Sequence, residues 1–219
     1  MSVETHSRAG VRPARPVRVW WFAAAALAFS AATVTAIAQA TGHFHWWAGF
    51  VLVPGAFITA AGVPLLTRGG GRAVTGYLIV WIGAIVFAVG AMLMFGVMTD
   101  GWPIMIILPT LAVAGTYIWR PPHPLARAFH RTIATLALCG TTLGALFLLI
   151  NAGAVDFGDT SWWGGYMMAA GVAVALNGLV LLRHQIEYRL QAVTLAVFPA
   201  LIVFLLGLRI LRGDWPSEF

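Results

Sequence analysis

His43-Phe44-His45 is the one place in the chain where two imidazoles stand within two residues of each other. On an extended turn such a pair presents both rings to one Zn²⁺ or Cu²⁺ ion. Asp100, Asp156 and Asp159 would complete a site if their turns gathered at the same end. The simpler alternative is that imidazoles and carboxylates wet short exposed turns, with no metal, cofactor or catalytic residue. Imidazole also titrates at about pH 6.5, so sensing of external pH is a third use. A second set, His123, His130 and His184, lies among Arg120, Arg127, Arg131, Arg183 and Arg189. This cationic rim suits phosphate headgroups or an acidic partner, and it also follows from membrane topology alone. Pro121-Pro122-His123-Pro124 stiffens what reads as the longest loop of that rim.

Away from these turns chemistry is scarce. Asn177 and Asn151 are the strongest polar groups within or beside apolar runs, with Thr141 and Thr142 near the Gly140 and Gly144 step. Interhelical hydrogen bonding is their expected use. The apolar runs hold no acid, lysine or histidine, whereas proton-coupled transport and intramembrane hydrolysis place ionisable groups at membrane depth. Cys139 is the single cysteine, so no intrachain disulfide forms. Walker A, dinucleotide, His-Glu-x-x-His and Gly-x-Ser-x-Gly patterns are missing as well. The residues therefore point away from an enzyme.

The elements that must position these groups are helices in lipid. Of 219 residues 60% are hydrophobic and 9% charged, against about a quarter charged in a soluble domain. With a mean hydropathy of +0.87 and about 20 apolar residues needed per span, several spans fill the chain. Apolar runs bounded by Arg, Asp, Gly and Pro predict seven, near 19–41, 46–67, 73–98, 102–119, 132–153, 162–182 and 190–211. The expected fold class is all-α, a polytopic membrane bundle over 18–212. A disordered basic tail over 1–17 precedes it and a short external tail over 213–219 follows.

All 13 basic residues are arginine, and 11 of them fall on one side of this map, from Arg8 to Arg189. That side, with the N-terminus, is expected in the cytoplasm of a cell-membrane protein, and the C-terminus outside. The net charge of +6 is spread between apolar runs and not gathered in a patch, so nucleic acid is not an expected partner. Trp46, Trp47, Trp102, Trp162, Trp163 and Trp215 form an outer belt and Trp20, Trp21 and Trp119 an inner one; Trp81 falls mid-span. The first span imitates a secretory signal through Ala38-Gln39-Ala40. Its apolar run is too long for one, and the helix is expected to be retained.

Trp46-Trp47, Trp102 and Trp162-Trp163 recur at about 55–60 residues, a repeat that predicts three hairpins closed by Arg68, Arg120 and Arg183, plus a seventh helix. The alternative is that any short-looped membrane protein carries tryptophan outside and arginine inside. Small residues at every fourth position mark packing faces: Ala24, Ala28, Ala32, Ala36 and Ala40; Gly140 and Gly144; Ala169 and Ala173; Gly171 and Ala175. The first ridge is expected to be buried against another helix, within the chain or in a second copy. Pro54, Pro64, Pro109 and Pro199 are expected to kink or locally open four spans.

The segment 144–184 carries Leu146-Phe147-Leu148-Leu149-Ile150-Asn151-Ala152-Gly153-Ala154-Val155-Asp156-Phe157, then Trp162-Trp163 and Leu181-Leu182-Arg183. It resembles the helical hairpin of LiaF-type envelope-stress membrane proteins, in which a leucine-rich helix leads through Asn, Gly and an Asp-aromatic turn to a Trp pair and a returning helix ending in Arg. The resemblance implies a regulatory or partner-binding role without catalysis. The expected function is thus a non-catalytic integral membrane protein that regulates, senses or scaffolds through partner or lipid contacts. The alternative is a small-solute or lipid transporter or channel component, its path running beside Asn177 and the proline-bearing spans.

Overall fold

A chain in hydrocarbon must satisfy its backbone hydrogen bonds internally, which restricts an apolar sequence of this kind to helices. The structure, a computed structural model, describes residues 17–183 and 188–213. The expected tails, apart from Val17 and Gly213, lie outside the described residues, as do His184, Glu187 and Trp215. Seven helices are long and apolar enough to cross a membrane, and they fit a multi-pass membrane protein. We number them α1 (Val17–Ala40), α2 (Trp46–Leu66), α3 (Gly70–Phe95), α4 (Met98–Ile118), α5 (Pro124–Asn151), α6 (Trp162–Arg183) and α7 (Arg189–Leu211). Among the described residues there is no strand.

Six helices lie within a few residues of their expected positions; α5 does not. It starts at Pro124, well before residue 132, because proline suits the first helical turn, where its missing N–H would have had no partner. Arg127 fastens the preceding loop, donating from Nε to the Pro121 carbonyl at 3.1 Å and from Nη2 to the Pro122 carbonyl at 3.3 Å. The expected long loop shrinks to a short one, and His130 and Arg131 become helical.

Helix pairing also differs from the expected grouping. The closest packing joins α2 to α3, α4 to α5 and α6 to α7, so the chain is one helix followed by three hairpins that close at the arginine-bearing end. Glycine is the reason. Gly76, Gly83 and Gly90 on α3, and Gly164, Gly171 and Gly178 on α6, are all buried and recur every seventh residue. Seven residues make almost two turns, so each series lines one face. A Cβ at Gly62 would lie 2.7 Å from the Gly76 carbonyl oxygen, and one at Gly76 would lie 2.6 Å from Leu66 N. In the last hairpin a Cβ at Gly164 would lie 2.5 Å from the Gly207 carbonyl oxygen, and one at Gly171 would lie 2.8 Å from that of Ala200. The expected Gly140 and Gly144 step does pack within the chain, against Thr110 and Ile107 of α4.

The alanine ridge of α1 is not buried in the chain. Ala24, Ala28, Ala32, Ala36 and Ala40 are exposed, and α1 turns an adjacent face inward. Ala38 is fully buried in a cluster with Ala48, Leu52 and Met94, supported by Ala31, Val34 and Phe87. An all-alanine stripe gives few dispersion contacts unless two backbones meet along it, whereas Val34 fills the groove beside Ala38. Of the small residues singled out on α6, Gly171 is buried, Ala173 and Ala175 are half-buried, and Ala169 is exposed. The helices containing Pro54, Pro64, Pro109 and Pro199 remain continuous through them.

Leucine placed at Gly62 or Gly171 should force the paired backbones apart and lower stability by about 1–3 kcal/mol, the usual range for overpacking. Leucine at Ala32, on the exposed ridge, should leave the melting temperature of the detergent-solubilised protein unchanged. Thermal unfolding of the three variants side by side checks both statements.

Candidate functional site

The two ends of the bundle are built differently. At the tryptophan-rich end, short turns are tied to one another by their own polar groups. The His45 amide donates to the Met94 carbonyl at 3.3 Å, and its Nδ1 lies 3.3 Å from the same oxygen. His43 Nδ1 lies 3.0 Å from the Thr41 carbonyl. Asn151 Nδ2 donates to the Asp100 carbonyl at 3.0 Å, joining the end of α5 to the start of α4. Asp156 accepts the Gly158 amide at 2.9 Å, and Asp159 accepts the Ser161 amide at 3.0 Å and its hydroxyl at 2.6 Å. The Ser161 hydroxyl and then its amide hold the Asp159 carboxyl below its ordinary range. Among the described residues no three His, Cys, Asp or Glu side chains gather as a metal site would require, so the aspartates do not complete a site around His43 and His45. Phe147 fills the centre of an aromatic cluster, its ring centroid 5.4 Å from Trp102 and 5.9 Å from Trp162.

Between the ends, polar side chains join helix to helix. Thr110 Oγ1 and Thr141 Oγ1 are 2.9 Å apart across α4 and α5. Asn177 Nδ2 donates to Thr135 Oγ1 at 3.0 Å and reaches Thr132 Oγ1 at 3.5 Å, joining α6 to α5. Thr142 meets the Tyr166 hydroxyl at 3.1 Å, and that hydroxyl also donates to the Cys139 carbonyl. Tyr77 of α3 donates to the Ala112 carbonyl of α4 at 2.7 Å. Its ring packs edge-on against Trp81 at 6.1 Å and Trp119 at 4.9 Å, which accounts for the mid-span Trp81.

The arginine-bearing end carries the cationic side chains. His130 Nε2 lies 2.9 Å from Thr116 Oγ1, and its ring packs edge-on against Tyr117, over which Arg120 also sits. Arg131 points between helices and donates from Nη2 to the Asn177 carbonyl at 3.1 Å. Its Nε is buried and finds no partner among the described residues. A buried donor left unpaired costs about 1–3 kcal/mol. Arg127 and Arg131, with Tyr117, Pro124 and Ala128, line a cavity of about 80 Å³.

Ala128 also borders a second, larger cavity of about 410 Å³ between α5, α6 and α7. Its walls are almost wholly apolar, with Leu125, Phe129 and Leu136 from α5, Val174 and Leu181 from α6, and Leu195 from α7 among them. Phe129 is 62% and Leu195 69% exposed, so the cleft opens on the lipid-facing side of the bundle. Pro199 lies in its wall and, lacking an N–H, leaves the Leu195 carbonyl without its helical donor. The sequence reading missed both the cleft and the inward turn of Arg131. Pro124 was the available signal, because a helix begun there carries Arg131 onto the face of Thr135.

Valine at Thr110 and at Thr141 should each lower stability, and the double variant should lose less than the two losses added. The expected coupling is about 0.6 kcal/mol, typical of hydrogen bonds between membrane helices. Strictly additive losses in a double-mutant cycle would show that the two hydroxyls do not interact. The chain matches no protein-family model, no curated protein and no solved structure.

Proposed function

We propose that the chain is a non-catalytic, multi-pass protein of the cell membrane that regulates, senses or scaffolds through contacts with lipid or a membrane partner. The observation that carries this reading is the use made of the polar groups at depth. Asn177, Thr110, Thr141, Tyr77 and Tyr166 bond one helix to the next, and none of them lines the larger cleft. A solute path needs polar groups facing a wet passage, whereas the walls of this cleft are apolar apart from Thr132. Lipid tails and apolar helices suit such walls. The resemblance of residues 144–184 to LiaF-type hairpins supports the same class of role.

The arginine-bearing end faces the cytoplasm in this reading, since Arg68, Arg72, Arg120, Arg127, Arg131, Arg183 and Arg189 all fall there. The N-terminus is then cytoplasmic and the C-terminus external. Cysteines introduced at Gly70 and Pro122, in a Cys139→Ala background, should react with an impermeant thiol reagent only after the cytoplasmic face is opened. A cysteine at Gly158 should react in intact cells. Labelling of the Pro122 position from outside would reverse the map.

Asn177→Leu separates regulation from transport. The variant should lose about 0.6 kcal/mol of stability, up to ~1.7 kcal/mol, as expected for a lost interhelical bond. Vesicles containing either protein should be equally tight to protons and glycerol. Flux carried by the native chain and abolished in a folded Asn177→Leu protein would replace this reading with transport.

A further inference from the structure

The lateral cleft and Arg131, whose Nε finds no partner among the described residues, are neighbours, and together they describe a ligand with one long apolar part and one anionic part. The cleft runs along α5 from Leu125 to Leu136. The rise from Leu125 to Leu136 is roughly 16 Å, close to the ~15 Å hydrocarbon depth of one leaflet. Its volume of about 410 Å³ is that of a small-molecule site, and its walls offer almost nothing polar to a headgroup. The cleft reaches the arginine-bearing end at Leu125 and Ala128, where the small cavity lined by Arg127 and Arg131 shares Ala128 with it. Arg183 and Arg189 flank the same mouth in sequence, two residues beyond Leu181 and three before Ala192.

The electrostatics are one-sided. The acids among the described residues, Asp100, Asp156 and Asp159, all sit in the turns at the opposite end of the bundle. Arg127 uses Nε and Nη2 on loop carbonyls, and Arg131 uses Nη2 on Asn177 while its buried Nε has no partner among the described residues. A neutral carbonyl accepts a hydrogen bond without neutralising a guanidinium, and a phosphate oxygen is a strong charged complement to it. An apolar tail alone would leave that charge unmatched, and a free anion alone would leave the cleft empty.

We propose that the cleft between α5, α6 and α7 holds one acyl chain of an anionic phospholipid from the arginine-side leaflet, whose phosphate is taken by Arg131 and Arg127. The second acyl chain lies along the exposed Phe129 and Leu195 surface in the bilayer. This site rests on the reading that the chain works through lipid contacts, and it names the lipid class. The backbone carbonyl of Asn177 fixes the Arg131 side chain beside the cleft.

The test uses the full-length protein in a neutral detergent, with lipid binding followed by native mass spectrometry. Phosphatidylglycerol should bind more tightly than phosphatidylcholine of the same chains, and inorganic phosphate should not displace it. Arg131→Gln and Arg127→Gln should each weaken phosphatidylglycerol roughly fivefold, the contribution of one basic residue at an anionic leaflet, and leave phosphatidylcholine unchanged. Ala192→Phe, which fills the cleft without touching either arginine, should weaken both lipids while circular dichroism stays native. Equal binding of the two lipids, or displacement by inorganic phosphate, overturns the proposal. So does full binding in Arg127→Gln together with Ala192→Phe, two variants that leave the Asn177 contact intact. Solute flux through Asn177 would remove the functional reading and leave the lipid result standing. Loss of lipid selectivity alone would remove only this site.

Discussion

Hydrocarbon neither hydrogen-bonds a backbone nor drives apolar surfaces together, and most of this architecture follows from that. Leucine is as comfortable against a lipid tail as against another leucine, so helices stay together only where their backbones come close enough for dense van der Waals contact. The chain supplies such places with glycine at every seventh position on α3 and α6. At each of these contacts the Cβ of any other residue would run into the neighbouring helix. Glycine thereby selects which helices pair, and the hairpins close at the arginine-bearing end. α1 has no such glycine face and packs at the edge, through a short stretch around Ala38.

Close backbones bring their polar side chains into range of one another. The threonine pair of α4 and α5 sits beside the Gly140 and Gly144 step, and Asn177 reaches Thr135 where α6 crosses α5. In this setting a hydroxyl or amide fixes the rotation of a helix, and its worth is modest because the unfolded chain in the membrane also finds partners. Arg131 is the exception. Its guanidinium is drawn inward by a backbone carbonyl, and its buried Nε has no partner among the described residues.

The ends consequently differ in what they present. Turns at the tryptophan-rich end hold Asp156 and Asp159 on nearby amides and Asn151 on the Asp100 backbone carbonyl, and an aromatic cluster joins α4, α5 and α6. The arginine-bearing end keeps charge exposed and stands over a lateral opening among α5, α6 and α7. The tryptophan-rich end has a cavity of its own, of about 740 Å³, lined by Asp159, Ser161, Trp162 and Trp163 among others, so the ends differ in charge and not in openness.

The number of helices and nearly all their limits were legible from composition and breakers, because lipid length sets the span and Arg, Gly and Pro mark its ends. The clustering of arginine at one end was legible for the same reason. Pairing was not. Tryptophan spacing suggested hairpins turned at the aromatic end, whereas pairing follows glycine faces, and a glycine series shows its partner only when two helices are brought face to face. The alanine ridge of α1 was equally visible in sequence, and tertiary structure left it exposed because no second backbone comes to meet it. Arg131 read as one cation of a surface rim. Whether it faces water or Asn177 depends on where α5 begins and how α5 and α6 are rotated, and three-dimensional packing alone decides that rotation.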